Sequence, residues 1–135
     1  MNSLATRVAL IGATLAAVIT SAVPASAGDW GTLSAYGAVT SDYRFRGISQ
    51  NDLEFTPQAS INWSGPDGFY AGVWASKMNW VFTTTSLEVD IYGGKHFDLD
   101  GTDLNIEAFY WAYPDNPGSL SASWFEGIVQ LTHAF

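Results

Sequence analysis

The chain has 135 residues, no cysteine and a formal net charge of −8 at pH 7, and 15% of its residues are aromatic. The five Lys and Arg residues against thirteen Asp and Glu residues argue against nucleic acid as a partner, because contacts to phosphates need a basic surface. The absence of cysteine excludes a small fold held together by disulfides.

The N-terminal segment has the organisation of a secretory signal peptide. Arg7 supplies a positive charge, residues 8–22 are mostly apolar, and residues 24–27 end in the small side chains that signal peptidases cut after. The apolar run is short compared with the ~20 residues of a transmembrane helix. The sequence therefore predicts a signal peptide at residues 1–27. The remaining domain, residues 28–135, has a net charge of −9 once Arg7 is removed.

After residue 27 the sequence alternates between apolar and polar side chains, which is the period of a β-strand with one apolar face. No stretch of this region has a convincing helical period. We predict about six strands of ~10 residues, long enough to cross a bilayer at a tilt. The predicted strands span residues 33–46, 55–64, 69–78, 86–97, 104–113 and 123–135.

The connections between these strands alternate in length. Residues 65–68 and 98–103 are rich in Gly, Pro and Asp and are predicted to be tight turns. The connections at residues 47–54, 79–85 and 114–120 are longer. Outer-membrane barrels combine short periplasmic turns with longer outer loops. The aspartates at residues 98–103 lack the spacing of an EF-hand loop, and we predict no metal site.

The end of the first predicted strand, SDYRFRG, has a strict alternation. Tyr43 and Phe45 fall on one face, and Asp42, Arg44 and Arg46 fall on the other. A soluble sheet would pack the aromatic face on a core, whereas a membrane barrel would place it in lipid and turn the charges toward the lumen. This segment alone is compatible with both structures.

The barrel interpretation divides the side chains into two sets. We expect charged side chains to line the lumen at Asp42, Arg44, Arg46, Glu88, Asp90, Glu107 and Glu126. We expect lipid to contact Tyr43, Phe45, Phe55, Ile61, Trp63, Val89, Ile91, Leu131 and Phe135. Because the interior of a small barrel is filled by side chains, the lumen charges are expected to pair with one another.

Four segments and one proline of this region have a recognisable pattern: SDYRFRGISQ at residues 41–50, GFYAGVWAS at 68–76, LEVDIYGG at 87–94 and FYWAYP at 109–114, together with Pro57. These segments resemble the TorF-type porin family of proteobacterial outer-membrane proteins. They occur in the same order as in the family, cover most of residues 33–114, and correspond to the N-terminal half of the family's proteins. The resemblance implies a β-barrel in the Gram-negative outer membrane and, by the family's name, a pore.

The pattern and the resemblance together predict an all-β fold for residues 28–135, namely an antiparallel up-and-down transmembrane β-barrel or partial barrel. The expected function is passive diffusion of small solutes across the outer membrane. Single-chain bacterial barrels have at least ~8 strands, so six strands leave a partial barrel or self-association as alternatives. The expected partners are outer-membrane lipid and the barrel-assembly machinery, which would recognise the terminal Phe135.

Two alternative functions remain open. A secreted, soluble β-sandwich would use its tryptophans as a platform for a ligand; the candidates are Trp63, Trp74, Trp80, Trp111 and Trp124. A truncated barrel plugged by its own charges would not conduct. No enzyme is predicted, because His96 and His133 are not accompanied by a Gly-x-Ser-x-Gly motif, and no cofactor is expected.

Overall fold

The computed structural model describes residues 25–26, 28–79, 85–115 and 122–134. Their regular structure is almost entirely β, which confirms the predicted all-β fold, and the two helical pieces are single 3-10 turns at Gly28–Trp30 and Pro66–Gly68. Across the described residues, no helix combines the length and the apolar character needed to cross a membrane. Nearly all of the predicted signal peptide lies outside the described residues.

Six long strands form a single antiparallel sheet in which each pairs with the next long strand along the chain. In chain order, the strands are β1 (Ala25–Ser26), β2 (Thr32–Thr40), β3 (Arg44–Phe45), β4 (Ile48–Ser49), β5 (Thr56–Ser64), β6 (Phe69–Lys77), β7 (Leu87–Asp98), β8 (Thr102–Ala112) and β9 (Trp124–His133). The main sheet has the order β1-β2-β5-β6-β7-β8-β9, and β3 and β4 form a separate hairpin. Within the described residues β9 pairs with β8 alone, so the sheet is open.

The last five predicted strands agree with β5 to β9 to within two residues at each end. The connections also alternate as predicted. The segments 41–55, 78–86 and 113–123 join strands at one end of the sheet, which we call the long-loop end. The segments 65–68 and 99–101 join them at the other, short-turn end.

The first predicted strand is wrong beyond residue 40. β2 ends at Thr40, and the chain then forms the β3–β4 hairpin instead of continuing the strand. Arg46 and Gly47 both have positive φ, as a two-residue type I′ hairpin turn requires. Asp42 stabilises this hairpin, because it accepts a hydrogen bond from Ser49 Oγ at 2.5 Å and pairs with Arg44 Nε at 2.5 Å.

The strand register sorts the side chains into a polar face and an apolar face. One row across the polar face consists of Tyr36, Ser60, Trp74, Asp90, Trp111 and Trp124. The adjacent row across the apolar face consists of Ala35, Ile61, Val73, Ile91, Tyr110 and Phe125. The predicted alternation is therefore present across all six long strands.

Burial on the two faces is the reverse of that in a water-soluble sheet. On the polar face, Ser76 is 1% exposed and Glu88 is 2% exposed. On the apolar face, Ile61 is 61% exposed and Val129 is 69% exposed. In the described part of the chain no second large sheet covers the apolar face. The second sheet of these residues is the small β3–β4 hairpin. The structure thus buries its polar side chains and exposes its aliphatic ones.

Two tyrosines lie across glycines of the neighbouring strand on the polar face. Tyr70 is opposite Gly94, and Tyr92 is opposite Gly72, in the β6–β7 pair. Tyr70 reaches over Gly94 to β8, where its hydroxyl donates to Glu107 Oε2 at 2.5 Å. The missing Cβ at each glycine leaves the space that the ring occupies.

Gly94→Ala is therefore expected to lower the free energy of unfolding by about 1–3 kcal/mol through overpacking. An added Cβ would lie 2.5 Å from the carbonyl oxygen of Ile106 and 2.6 Å from the Tyr70 hydroxyl. Gly127→Ala is the matched control, because nothing lies within 4 Å of its added Cβ. Denaturant unfolding in detergent micelles measures both variants, and equal stability of the two would contradict this packing.

Candidate functional site

A cavity of about 260 Å³ lies on the polar face at the long-loop end of the sheet. The hairpin of β3 and β4 forms one wall, and side chains of β7 and of the segments around the β8–β9 connection form the other. Five aromatic side chains line it: Tyr43, Phe45, Trp111, Tyr113 and Trp124. The β3–β4 hairpin, which replaces the predicted continuation of β2, thus closes this cavity.

Glu88 is the buried carboxylate in the cavity wall. Its Oε1 accepts a hydrogen bond from the Tyr43 hydroxyl at 2.7 Å, and its Oε2 accepts one from the Tyr113 hydroxyl at 2.9 Å. Burial raises the pKa of Tyr43 and of Tyr113 well above the usual tyrosine value, and the neighbouring Glu88 raises both pKa values further. Both hydroxyls therefore remain protonated and act as donors to Glu88.

Asp90 lies two residues further along β7, on the same face as Glu88. It is 5% exposed, and its Oδ1 has no hydrogen-bond partner among the described residues. Its register neighbours are Trp74 on β6 and Trp111 on β8. Glu88 and Asp90 are absent from the ion pairs formed within the described ranges. Two buried carboxylates therefore lie side by side without a cationic partner from this part of the chain.

The aromatic wall is a continuous series of ring contacts. Phe45 meets Trp111 edge-on at 5.6 Å between ring centroids, and Trp111 stacks on Trp124 at 5.3 Å. Tyr113 is the last ring of the series, and its ring centroid lies 5.8 Å from that of Trp124. Glu126 accepts hydrogen bonds from the indole N–H of Trp111 at 3.4 Å and of Trp124 at 3.2 Å. A third carboxylate thus fixes the orientation of two rings.

The structure brings only part of the predicted charged set to this cavity. Arg46 lines the cavity with Glu88, and its guanidinium lies 5.1 Å from the Phe45 ring centroid. Arg44 instead pairs with Asp42 inside the β3–β4 hairpin. Among the ion pairs of the described residues, only the Asp42–Arg44 pair joins two of the predicted lumen charges, and it lies within one hairpin instead of crossing a lumen.

Glu107 lies nearer the short-turn end, in the same row as Gly94 and Tyr70. It accepts the hydrogen bond from Tyr70, whose single hydroxyl proton it shares with Asn105 Oδ1, 2.9 Å from the hydroxyl oxygen. The seven predicted lumen charges are therefore divided between the hairpin segment and strands β7 to β9 of the sheet, and do not form a single site.

Two of the predicted lipid-facing residues are misplaced. Tyr43 binds Glu88 and contacts Trp74, and Phe45 contacts Trp111, so both lie against the polar face. The prediction was wrong because it extended the first strand through the hairpin. Trp63 lies on the apolar face with its indole N–H bound to the Trp30 carbonyl at 2.9 Å.

The remaining members of this set agree with the predicted face. Exposed on the apolar side are Phe55, Ile61, Ile91 and Leu131, while Val89 is partly exposed. Phe135 and Trp80 lie outside the described residues. Contact of these side chains with lipid stays a prediction.

Sequence reasoning missed the contacts of the cavity. In the fifth predicted strand, Trp111 and Tyr113 have the same parity as Glu107 and so share its face, but the alternation gave no signal that Tyr43 would fold back onto Glu88. That contact joins residues 45 positions apart in the sequence, and the hairpin turn at Arg46 and Gly47 was the one local feature that could have indicated it.

Fold and site together define an all-β protein that exposes an apolar face and buries polar side chains on the opposite face of one open antiparallel sheet. The chain belongs to the Gcw_chp family, described as a bacterial protein of unknown function, whose family profile matches residues 24–135. Neither a curated protein nor a solved structure matches the chain significantly.

Proposed function

We propose that this protein is an outer-membrane β-barrel-type porin that allows passive diffusion of small solutes. The observation that carries the proposal is the reversed burial of the two faces, with Glu88 at 2% exposure and Ile61 at 61%. Lipid-facing strands of outer-membrane barrels are apolar outside and polar inside. The order of short and long connections and the resemblance to TorF-type porins support the same function.

Closure of the barrel requires a strand partner along the outer edges of β2 and β9. Unpaired backbone groups at a sheet edge are very costly in lipid. Since the six long strands alternate in direction, β9 of one copy would run antiparallel to β2 of a second copy. β1 belongs to the predicted signal peptide, so its removal would free the whole β2 edge. Two copies would then close one barrel about a two-fold axis.

A barrel built from two copies would also provide room for solute. The interior of an eight-stranded barrel is just filled by side chains, and barrel diameter grows with strand number. In this arrangement Asp42, Arg46, Glu88, Asp90 and Glu126 line the enclosed space. Outer-membrane lipid contacts the apolar face, and the barrel-assembly machinery recognises Phe135.

Planar-bilayer recording of the purified protein tests this function. We expect stepwise conductance that depends on reconstituted protein, together with a detergent-corrected mass of two copies. Absence of conductance at that mass would contradict passive diffusion and favour a plugged barrel. A stable monomer that stays in solution without detergent would contradict the membrane location itself.

A further inference from the structure

We propose that the cavity under the β3–β4 hairpin binds a small organic cation with an alkylated ammonium group. This binding site goes beyond solute diffusion and does not require that the protein conduct. The cavity volume of about 260 Å³ is just below the ~300–1,000 Å³ usual for ligand pockets, which suits a small ligand, and one buried carboxylate, Glu88, lies in its wall.

The aromatic lining provides the first argument. Five of the side chains that line the cavity are aromatic, and Phe45, Trp111, Trp124 and Tyr113 contact one another in series. Ring faces attract cations through their quadrupole, and aromatic cages are the usual site for quaternary ammonium groups. Because Glu126 holds the indole N–H groups of Trp111 and Trp124, the two rings are oriented before a ligand arrives.

The charge balance provides the second, independent argument. Glu88 and Asp90 are buried next to each other, and Asp90 Oδ1 has no hydrogen-bond partner within the described chain. Buried carboxylates are costly unless a positive charge or hydrogen bonds compensate them. Two tyrosine hydroxyls compensate Glu88 in part, but no ion pair between described residues reaches either carboxylate. Asp90 lies outside the cavity lining, so a monocation bound in the cavity would face Glu88 directly and supply positive charge to the pair from that side.

Other ligand classes fit this cavity less well. A metal ion needs several converging ligands, and the described residues contain no group of three His, Cys, Asp or Glu side chains that could hold one. A sugar hydroxyl needs a free acceptor, whereas both oxygens of Glu88 already accept tyrosine hydroxyls. Arg46 also lines the cavity, so its positive charge opposes a cation and limits the affinity.

Isothermal titration calorimetry of the wild-type protein with choline and with 3,3-dimethylbutan-1-ol, its uncharged isostere, tests the proposal. A polyoxyethylene detergent avoids both choline and sugar head groups. We expect choline to bind saturably and the isostere to bind at least about tenfold more weakly. Equal binding of the two compounds would show a merely apolar pocket, and absence of choline binding, or preferential binding of glucose, would overturn the proposal.

Variants then locate the site. Glu88→Gln is expected to weaken choline binding about tenfold, whereas Arg46→Gln is expected to strengthen it. Glu54→Gln is the matched control, because Glu54 is exposed and faces Lys77 at 3.9 Å; its affinity should equal that of the wild type. Unchanged affinity in both Glu88→Gln and Arg46→Gln would place the choline elsewhere and refute the assignment. If near-UV circular dichroism shows that Glu88→Gln is misfolded, the opposite-sign effect of Arg46→Gln decides.

Discussion

Ile91→Arg is expected to destabilise the protein in lipid vesicles by about 2–4 kcal/mol, the usual cost of an Arg on the lipid face near the bilayer midplane. Ile91 lies in the central apolar row, between Val73 and Tyr110. It is already 49% exposed, so in water the same substitution would change stability by only about 0.5 kcal/mol. Urea unfolding in phospholipid vesicles measures the difference.

Leu99→Arg is the control for this prediction. Leu99 is 52% exposed, which is close to the 49% of Ile91, but it lies in the short turn between β7 and β8. We expect near-wild-type stability for Leu99→Arg, because in the proposed barrel this turn lies at the membrane boundary and its side chains stay in water. Comparable behaviour of Ile91→Arg and Leu99→Arg would mean that the apolar face does not meet lipid.

The double substitution Tyr43→Phe and Tyr113→Phe is expected to lower the free energy of unfolding by about 3 kcal/mol. It removes both hydroxyl donors from Glu88 and keeps both rings. A hydrogen bond to a charged group contributes about 1.5–3 kcal/mol, and a buried carboxylate left without any partner is strongly destabilising. Tyr110→Phe, on the exposed apolar face, should be nearly neutral. Urea unfolding in detergent micelles compares the variants.

Adding Glu88→Leu to that double variant should recover most of the lost stability. Replacing both partners of a buried hydrogen bond by apolar groups of similar shape is close to neutral, whereas removing one partner is not. A triple variant no more stable than the double variant would show that the loss arises from ring packing and not from the isolated carboxylate.

Most of the sheet could be predicted from alternation alone. In β5, Ile61 and Trp63 face one way and Ser60 and Asn62 face the other, and a single shift of register would reverse every side chain. Burial of one face therefore fixes the register locally, and tight turns such as Gly65 to Gly68 fix the strand ends.

The candidate site could not be predicted in this way. The alternation of Asp42, Tyr43 and Arg44 is equally compatible with an extended strand and with a hairpin arm. The choice depends on contacts with distant residues, such as the bond from Tyr43 to Glu88 and the ring contact of Phe45 with Trp111. Period-two patterning assigns a side chain to a face, but it does not show which loop folds over that face.

The most direct measurement uses the absence of native cysteine, because a single introduced cysteine takes a fluorescent label at one site. Ser60→Cys and Ile61→Cys are adjacent on β5 and project to opposite faces. In vesicles that contain doxyl-labelled lipid, we expect strong quenching of the label at residue 61 and little at residue 60. Equal quenching at both positions, or none at residue 61, would contradict the assignment of the apolar face to the bilayer.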